Sequence, residues 1–446
     1  MKKQAVTFVF LLLGFFFVET PLFSQAETIL FGSHLAQAGE TNPALLNDHR
    51  IVVMQPSFYN NTFFTGPTLA DAFTDVNGQQ LFDSQGFLNA LDEDNNLLRQ
   101  QFSLNTLGGA LRIGGAQLSL THSFRLEAQA SYPKQMAELA LLGNSQFVGD
   151  TIALNHDLQL FSYSEFALGG AVKLGPLQAG VRLKWLNGIG ALSTERGQIG
   201  LYTDPGVYDI TFTSDYQLNS SSIASLSLAD SLQLSLNLSN LDFKQVITKN
   251  QGLAVDLGVI VQLGNLSLSA SALNALGSIN WSENLNNYSS STSVTYSGVD
   301  LTALFTSDSL DFPTALDTLK SLVQLAETQQ AFSTALPSTY RLGASYALNK
   351  SLELGGLIAL QRFKEQTYKT LSVYAAFVPI SWVHLQASYS IVNDTYANIG
   401  LGASIQAGPV QLYAMSDNVP ALFNLAGSRH FQGRAGLNVV IGRKKK

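Results

Sequence analysis

NQGLAVDLGVIVQLGNLSLSASALNALGSINW, residues Asn250 to Trp281, is the stretch that decides the fold. In its first arm Leu253, Val255, Leu257, Val259, Val261 and Leu263 share one parity, with Asp256, Gly258 and Gln262 on the other. In its second arm Leu266, Leu268, Ala270 and Ala272 alternate with Ser267, Ser269 and Ser271. Successive side chains point to opposite faces of a strand, so each arm has one apolar and one polar face. Gly264-Asn265 between them is a two-residue loop of types that tolerate the positive φ of a tight hairpin. Such a loop pairs Leu263 with Leu266, Val261 with Leu268 and Val259 with Ala270. Both apolar sets then lie on one side, so pattern and turn agree on a single register.

The same unit recurs along the chain. Phe166, Leu168, Val172 and Leu174 lead into Gly175-Pro176, and Leu177, Ala179, Val181, Leu183 and Trp185 lead out. A two-residue turn there pairs Leu174 with Leu177, Leu168 with Leu183 and Phe166 with Trp185. Leu118, Leu120, Phe124 and Leu126 follow Gly114-Gly115, and Val410 to Ala414 follows Gly408-Pro409. Asp204-Pro205-Gly206 joins two further arms. Leu226 to Leu238 is a leucine alternation interrupted by a turn at Asp230.

Composition narrows the class. The chain has 446 residues, of which only 13% are charged, against about 25% in ordinary soluble proteins. Beyond the N-terminus no run approaches the roughly 20 apolar residues of a membrane-spanning helix. Few charges without long apolar runs suits a membrane β-barrel, whose strands are each half apolar. There is no cysteine, which excludes disulfides and thiolate metal sites. A formal charge of −7 offers no basic patch for nucleic acid.

Residues 1–26 read as a signal peptide: Lys2 and Lys3, an apolar core from Val6 to Val18, and small residues at Ser24 and Ala26 before the cut. Residues 27–49 form an N-terminal segment, either a periplasmic or lumen-inserted plug or a plain linker, broken at Asn42-Pro43-Ala44. Residues 50–442 are the barrel and 443–446 a basic periplasmic tail. The first strand is expected over Arg50 to Asn60, followed by a long loop from Phe63 to Asn96. Pro133 to Gly143 and Thr314 to Phe332 read as short helical insertions that cap the barrel, fold into it or are simple extracellular excursions.

The connections fall into two classes. Gly114-Gly115, Gly175-Pro176, Gly264-Asn265, Asn349 to Ser351 and Gly408-Pro409 are very short. Glu127 to Asp150, Trp281 to Pro337, Arg362 to Lys369, Ser390 to Tyr396 and Asp417 to Arg429 are expected as longer loops. Short turns at one end and long loops at the other is the asymmetry of outer-membrane barrels. The prediction is all-β: an antiparallel transmembrane β-barrel of about 16 strands, within a range of 14 to 18.

Parity sorts the strand charges. Glu165, Arg182, Lys184, Asp256, Arg341, His384 and Arg434 lie on the polar face of their strands. An Arg or Lys facing lipid at mid-bilayer would cost about 2–4 kcal/mol, so these residues are expected to line the lumen. There they either select a solute or pair with one another in a closed interior. His122 falls on the apolar parity and calls for a bulge or a place near the membrane edge. Phe166, Trp185, Trp281 and Trp382 sit at strand ends, where interfacial aromatics belong.

Catalytic patterns are thin. His156-Asp157 is a bare adjacency, and the chain holds no metal-binding histidine spacing, nucleophile elbow, phosphate loop or dinucleotide fingerprint. The expectation is no enzyme, no cofactor and no metal; Asp417-Asn418 is read as a turn.

Four stretches carry a resemblance: NQGLAVDLG at Asn250 to Gly258, GSINW at Gly277 to Trp281, YSEFALG at Tyr163 to Gly169, and the ending GPVQLY…SDN…FN…GRAGLNVVIG from Gly408 to Gly442. Over most of its length the chain resembles a family of uncharacterised outer-membrane β-barrel proteins of Bacteroidota. Through Asn42-Pro43-Ala44 and its size it is also loosely similar to the fatty-acid-transporter type of barrel. The resemblance implies the fold and the outer membrane of a Gram-negative bacterium, and no activity. The expected partners are outer-membrane lipid and a small-molecule solute, with a periplasmic or surface protein as a further option and no nucleic acid. The expected function is passive passage of a small polar or amphipathic molecule. The alternative is a closed barrel serving as a scaffold.

Overall fold

In the computed structural model the hairpin at Gln251–Trp281 has the register its sequence dictates: Leu263 pairs Leu266, Val261 pairs Leu268 and Val259 pairs Ala270. The structure describes residues 34–222, 224–227, 233–236, 249–296, 326–392 and 395–443. The signal peptide, residues 27–33, Asp230, residues 314–325 and Lys444 to Lys446 lie outside the described residues; the described remainder of the helix expected at Thr314 to Phe332 is not helical, because Ala326–Thr328 is strand and Phe332 opens another.

Among the described residues, fourteen antiparallel strands close into a ring. They are β1 (His49–Phe64), β2 (Asn96–Ile113), β3 (Ala116–Tyr132), β4 (Asp157–Leu174), β5 (Leu177–Thr203), β6 (Gln251–Leu263) and β7 (Leu266–Trp281). The second half is β8 (Ser338–Ala347), β9 (Leu352–Phe363), β10 (Gln366–Ile380), β11 (Val383–Val392), β12 (Thr395–Ala407), β13 (Val410–Ser416) and β14 (His430–Arg443). Each strand pairs with the next in sequence, and β14 pairs with β1 to close the barrel. The ring thus sits at the lower end of the expected range. The arms around Asp204-Pro205-Gly206, which counted toward sixteen, leave the ring. There the upper part of β5 pairs with Ile210–Ser221, which pairs with Leu285–Tyr296, which pairs with Ala326–Thr328. At 27 residues, β5 is far longer than the roughly 9–11 residues that cross a bilayer, so its end projects as a ledge. The leucine alternation after Ser222 forms a separate hairpin, Ala224–Ser227 with Gln233–Leu236, also outside the ring.

The turn chemistry explains the register. Gly114, Gly175, Gly264 and Gly408 each hold φ near +60° at the first turn position. At Gly175-Pro176 and Gly408-Pro409 the proline then supplies a negative φ, the II′ geometry whose twist matches a hairpin. The second hairpin is also in its dictated register, with Leu174 opposite Leu177, Leu168 opposite Leu183 and Phe166 opposite Trp185. Both ends of the ring, His49 and Arg443, lie together at this short-turn end. At the other end two connections differ from expectation. Only Lys364-Glu365 separates β9 from β10, and two residues separate β11 from β12. Apolar alternation fades near these points, but the backbone ladder continues with polar residues such as Arg362 paired with Thr367.

Outside, Leu118, Leu168, Leu183, Leu257, Leu342, Ile358, Val373, Leu401 and Leu412 are each half exposed or more. A continuous apolar belt of this extent is far beyond what a soluble surface tolerates. It is the lipid-facing band of a transmembrane barrel. Phe166, Trp185 and Trp382 face outward with it. Trp281 does not, which corrects its placement among the interface aromatics. It is 0% exposed and packs inside the ring with Phe161, Tyr163, Ile279 and Phe363, its Nε1 donating to Thr334 Oγ1 at 2.9 Å. The reason is local. Asn274 and Leu276 take positive φ where β7 slips twice against β6. Two one-residue bulges preserve parity, so Trp281 stays inward with Ser269 and Ser271. Past the bulges the strand has left the lipid. Its outer face carries Ser278 and Asn280, and its inner face packs a core.

The helix at Lys134–Leu142 begins after Pro133 and ends at Gly143, as expected, and buries none of its residues. It lies at the long-loop end, where Lys134 pairs with Glu93. His122 is accommodated by a slip between Asn105 and Leu107 in β2. Thr106 Oγ1 lies 2.7 Å from its Nδ1 and Ser164 Oγ 2.9 Å from its Nε2, between Phe124 and Phe166.

Candidate functional site

The polar parity of the strands faces the inside of the ring, and there the residues from 34 to 48 run across it. His34 stacks on His384 of β11, ring centroids 3.9 Å apart, and its carbonyl accepts from Gln411 of β13 at 3.0 Å. Gln37 exchanges two hydrogen bonds with Asn438 of β14 at 2.6 and 3.0 Å. A 3₁₀ turn, Ala36–Glu40, brings Glu40 to Arg434 at 2.6 Å. Thr41 O then accepts from Ser271 of β7 at 2.8 Å, and Asn42 Nδ2 donates to Ala270 O at 3.2 Å. Asn47 N donates to Gln117 of β3 at 2.7 Å, and Arg112 of β2 reaches the Asn47 carbonyl. Contacts with β2, β3 and β7 on one side and with β11, β13 and β14 on the other mean that the segment crosses the interior near the short-turn end.

Two glycines make that crossing fit. Gly180 of β5 and Gly258 of β6 are register partners. A Cβ on Gly180 would strike the Pro43 carbonyl and lie 2.6 Å from Ala44 N; one on Gly258 would strike the Asn42 side chain. The Asn42-Pro43-Ala44 backbone therefore rests on bare strand.

Above Glu40 and Thr41 lies a chamber of about 140 Å³. Tyr163, from the apolar cluster that holds Trp281, lines its upper part. Its wall carries Arg99, Arg125, Lys184, Arg341 and Arg434, against the carboxylates of Glu40 and Glu127. Glu165, Asp256 and Arg182 stand behind that wall. Cations therefore outnumber carboxylates around the chamber even though the whole chain is acidic.

Most of these charges are paired. Arg182 meets Asp256 at 3.3 Å, and Lys184 meets the other Asp256 oxygen at 2.8 Å. Arg125 meets Glu165 at 3.0 Å; Lys184 and Arg182 approach Glu165 at 3.9 and 4.0 Å. Asp256 also accepts from Asn274 N at 2.8 Å, tying the network to the bulge in β7. Adjacent strands supply the partners directly, because Asp256 and Arg182 are opposite each other in the ladder.

Of the seven residues expected at the lumen, Glu165, Arg182, Lys184 and Asp256 thus form one network on β4, β5 and β6. Arg434 joins Glu40 instead, Arg341 lines the chamber from β8, and His384 stands apart at the short-turn end beside His34. Sequence reasoning missed Arg99, Glu127, Glu40 and Tyr368. Arg99 had a signal: Arg99, Gln101, Ser103 and Asn105 alternate with Leu98, Phe102 and Leu104 in β2, a strand not read there. Glu40 had none, because its partner is 394 residues away.

Arg99 differs from the other cations. It is 2% exposed, and its Cζ lies 4.1 Å from the Tyr368 ring centroid and 5.4 Å from that of Phe363. Its carboxylate partner is Glu127, whose Oε2 is 3.7 Å from Nη2.

Among solved structures the chain is similar to a FadL homologue of Pseudomonas aeruginosa, at 11% identity and a TM-score of 0.42, covering 94% of this chain and 96% of that one. It is similar to the toluene transporter TodX of Pseudomonas putida at 10% identity and a TM-score of 0.39, covering 94% and 98%. A deltaS2S3 mutant of the monoaromatic hydrocarbon channel TodX gives 9% identity and a TM-score of 0.43, covering 91% and 94%. No curated protein matches. A family model matches residues 43–417, and the chain belongs to that family, described as a family of unknown function, DUF5723.

Proposed function

We propose that the protein is an outer-membrane barrel that passes a small polar or amphipathic solute through its interior chamber. The segment from 34 to 48 acts as a plug that must shift to open the route. The observation that carries this reading is the chamber itself, a charged space of about 140 Å³ lined by that segment and by Tyr163 of the apolar cluster. A barrel serving only as a wall would gain more from filling such a space with packed side chains, because buried charges cost several kcal/mol each to desolvate. The apolar belt and the export signal read at residues 1–26 support the outer membrane as its site.

The test is ion conductance of the folded mature protein in a planar bilayer, with and without residues 27–47. Steady current after truncation, with little from the intact protein, supports plugged transport. Silence from both forms, with a folded barrel confirmed by its heat-dependent gel mobility, would favour a closed scaffold. The projecting ledge of β5 would then be the surface to examine.

A further inference from the structure

We infer that the tip of the β9–β10 hairpin is the outer gate of the chamber, a lid that must swing aside for a solute to enter from the long-loop end. The inference rests on the reading of the chamber as a solute route and adds a second barrier to it, opposite the N-terminal segment. In ring order β9 and β10 face β1 to β5, with β6 to β8 between them on one side and β11 to β14 on the other. Side chains on walls so far apart meet when one wall leans inward, and the hairpin tip does so. Phe363 packs on Phe161 of β4, ring centroids 6.0 Å apart. Lys364 Nζ donates to the Thr194 carbonyl of β5 at 2.6 Å and lies 3.0 Å from Asp157 Oδ1 of β4. The Tyr368 hydroxyl donates to Gln129 Oε1 of β3 at 2.6 Å, its ring lies against Arg99 of β2, and it meets Phe63 of β1 edge-on at 6.5 Å. The tip thus reaches all five strands of the facing wall and lies across the mouth. Gln361 and Tyr368 of the hairpin line the chamber from this end, as Glu40 and Thr41 do from the other.

Two features make this crossing a lid rather than a fixed brace. The first is freedom from the neighbouring strands. The ladder with β8 ends at Arg362 opposite Ser338, and that with β11 ends at Thr370 opposite Val392. Between these points the tip is paired within the hairpin, Phe363 with Gln366 and Arg362 with Thr367. It can tilt there without breaking a ladder to either neighbour among the described residues. The second is a seat made of separable side-chain contacts. The Lys364–Asp157 pair has side chains 32% and 30% exposed, so water competes for it. Tyr368 holds Gln129 through one hydroxyl. Burial of Phe363 in the cluster around Trp281 makes the closed position the resting one.

The experiment reads access to the chamber. Because the chain has no cysteine, Ser103→Cys places a single thiol on the chamber wall at a position 5% exposed. The mature protein, folded in detergent with its N-terminal segment intact, is labelled with a small methanethiosulfonate reagent. Lys364→Met with Tyr368→Phe removes the polar latch and keeps the side-chain bulk and the ring against Arg99. Loss of a half-exposed ion pair and a neutral hydrogen bond should raise the open population at least about threefold. Labelling should accelerate by that factor, with heat-dependent gel mobility confirming a folded barrel. In protein lacking residues 27–47 the same substitutions should raise the mean bilayer current at least about threefold, because the outer gate remains in place. Equal labelling rates in two folded barrels would overturn the inference, as would an unchanged current in truncated protein that conducts. Should the double variant not fold, Tyr368→Phe alone should speed labelling at least about twofold, and equal rates there would overturn the inference as well. Labelling reads no flux. Faster labelling in a protein silent in every form sinks transport alone, and a current indifferent to the latch sinks this gate alone.

Discussion

Gly180→Ala should loosen the N-terminal segment from the wall. The added Cβ would lie 2.6 Å from Ala44 N and would strike the Pro43 carbonyl. Ordinary contact begins near 3.4 Å, so the backbones must part by at least about 0.8 Å. The strand is held on both sides by its ladders with β4 and β6, whereas the segment near the clash is held by a few side-chain contacts. The segment should yield. Two bonds near the clash are Asn42 Nδ2 to Ala270 O and Ser271 Oγ to Thr41 O. At about 0.5–1.5 kcal/mol each, losing both removes about 1–3 kcal/mol from the seated state. That shift multiplies the displaced population by about 5 to 150. Because the chain has no cysteine, Thr41→Cys supplies a unique reporter at a position 1% exposed, without added bulk. Maleimide labelling of the thiol introduced by Thr41→Cys should proceed at least about fivefold faster when Gly180→Ala is added. Equal labelling rates in two folded barrels would refute the claim that bare strand at Gly180 seats the segment.

The remaining predictions concern stability and the membrane. Asp256→Ala leaves Arg182 and Lys184 sharing Glu165 and should cost about 3–5 kcal/mol in denaturant unfolding, whereas Arg196→Ala breaks a pair whose side chains are 49% and 45% exposed and should cost less than about 1 kcal/mol. Equal costs for the two would contradict the buried network. Trp281→Ala should lose about 3–5 kcal/mol and lower the temperature at which the folded gel band converts, and an unchanged conversion would return Trp281 to the interface. Leu168→Arg, on the exposed apolar belt, should cost about 2–4 kcal/mol in folding into lipid vesicles; no penalty there would argue against a lipid-facing wall.

Much of this barrel was legible one hairpin at a time. Leu263 opposite Leu266 and Leu174 opposite Leu177 followed from a glycine-led two-residue turn, since turn stereochemistry sets register within a few residues. The inward position of Asp256 and Arg182 followed from alternation, which depends only on neighbours in sequence. Trp281 was legible too, had parity been followed past Asn274: Ile279 and Trp281 continue the parity of Ser269 and Ser271. It was misplaced because aromatic residues at strand ends usually mark the membrane interface, whereas here the strand runs on above the lipid.

The sequence by itself determined the class of fold, the short-turn end of the barrel and which face of each strand carries charge. Tertiary structure alone decided that fourteen strands close the ring, that Glu40 meets Arg434 across 394 residues, and that Arg99 lies between aromatic rings and the Glu127 carboxylate. The physical reason is range. Alternation and turn geometry are properties of adjacent residues, but ion pairing and cavity shape depend on which remote side chains closure of the ring brings within a few ångströms.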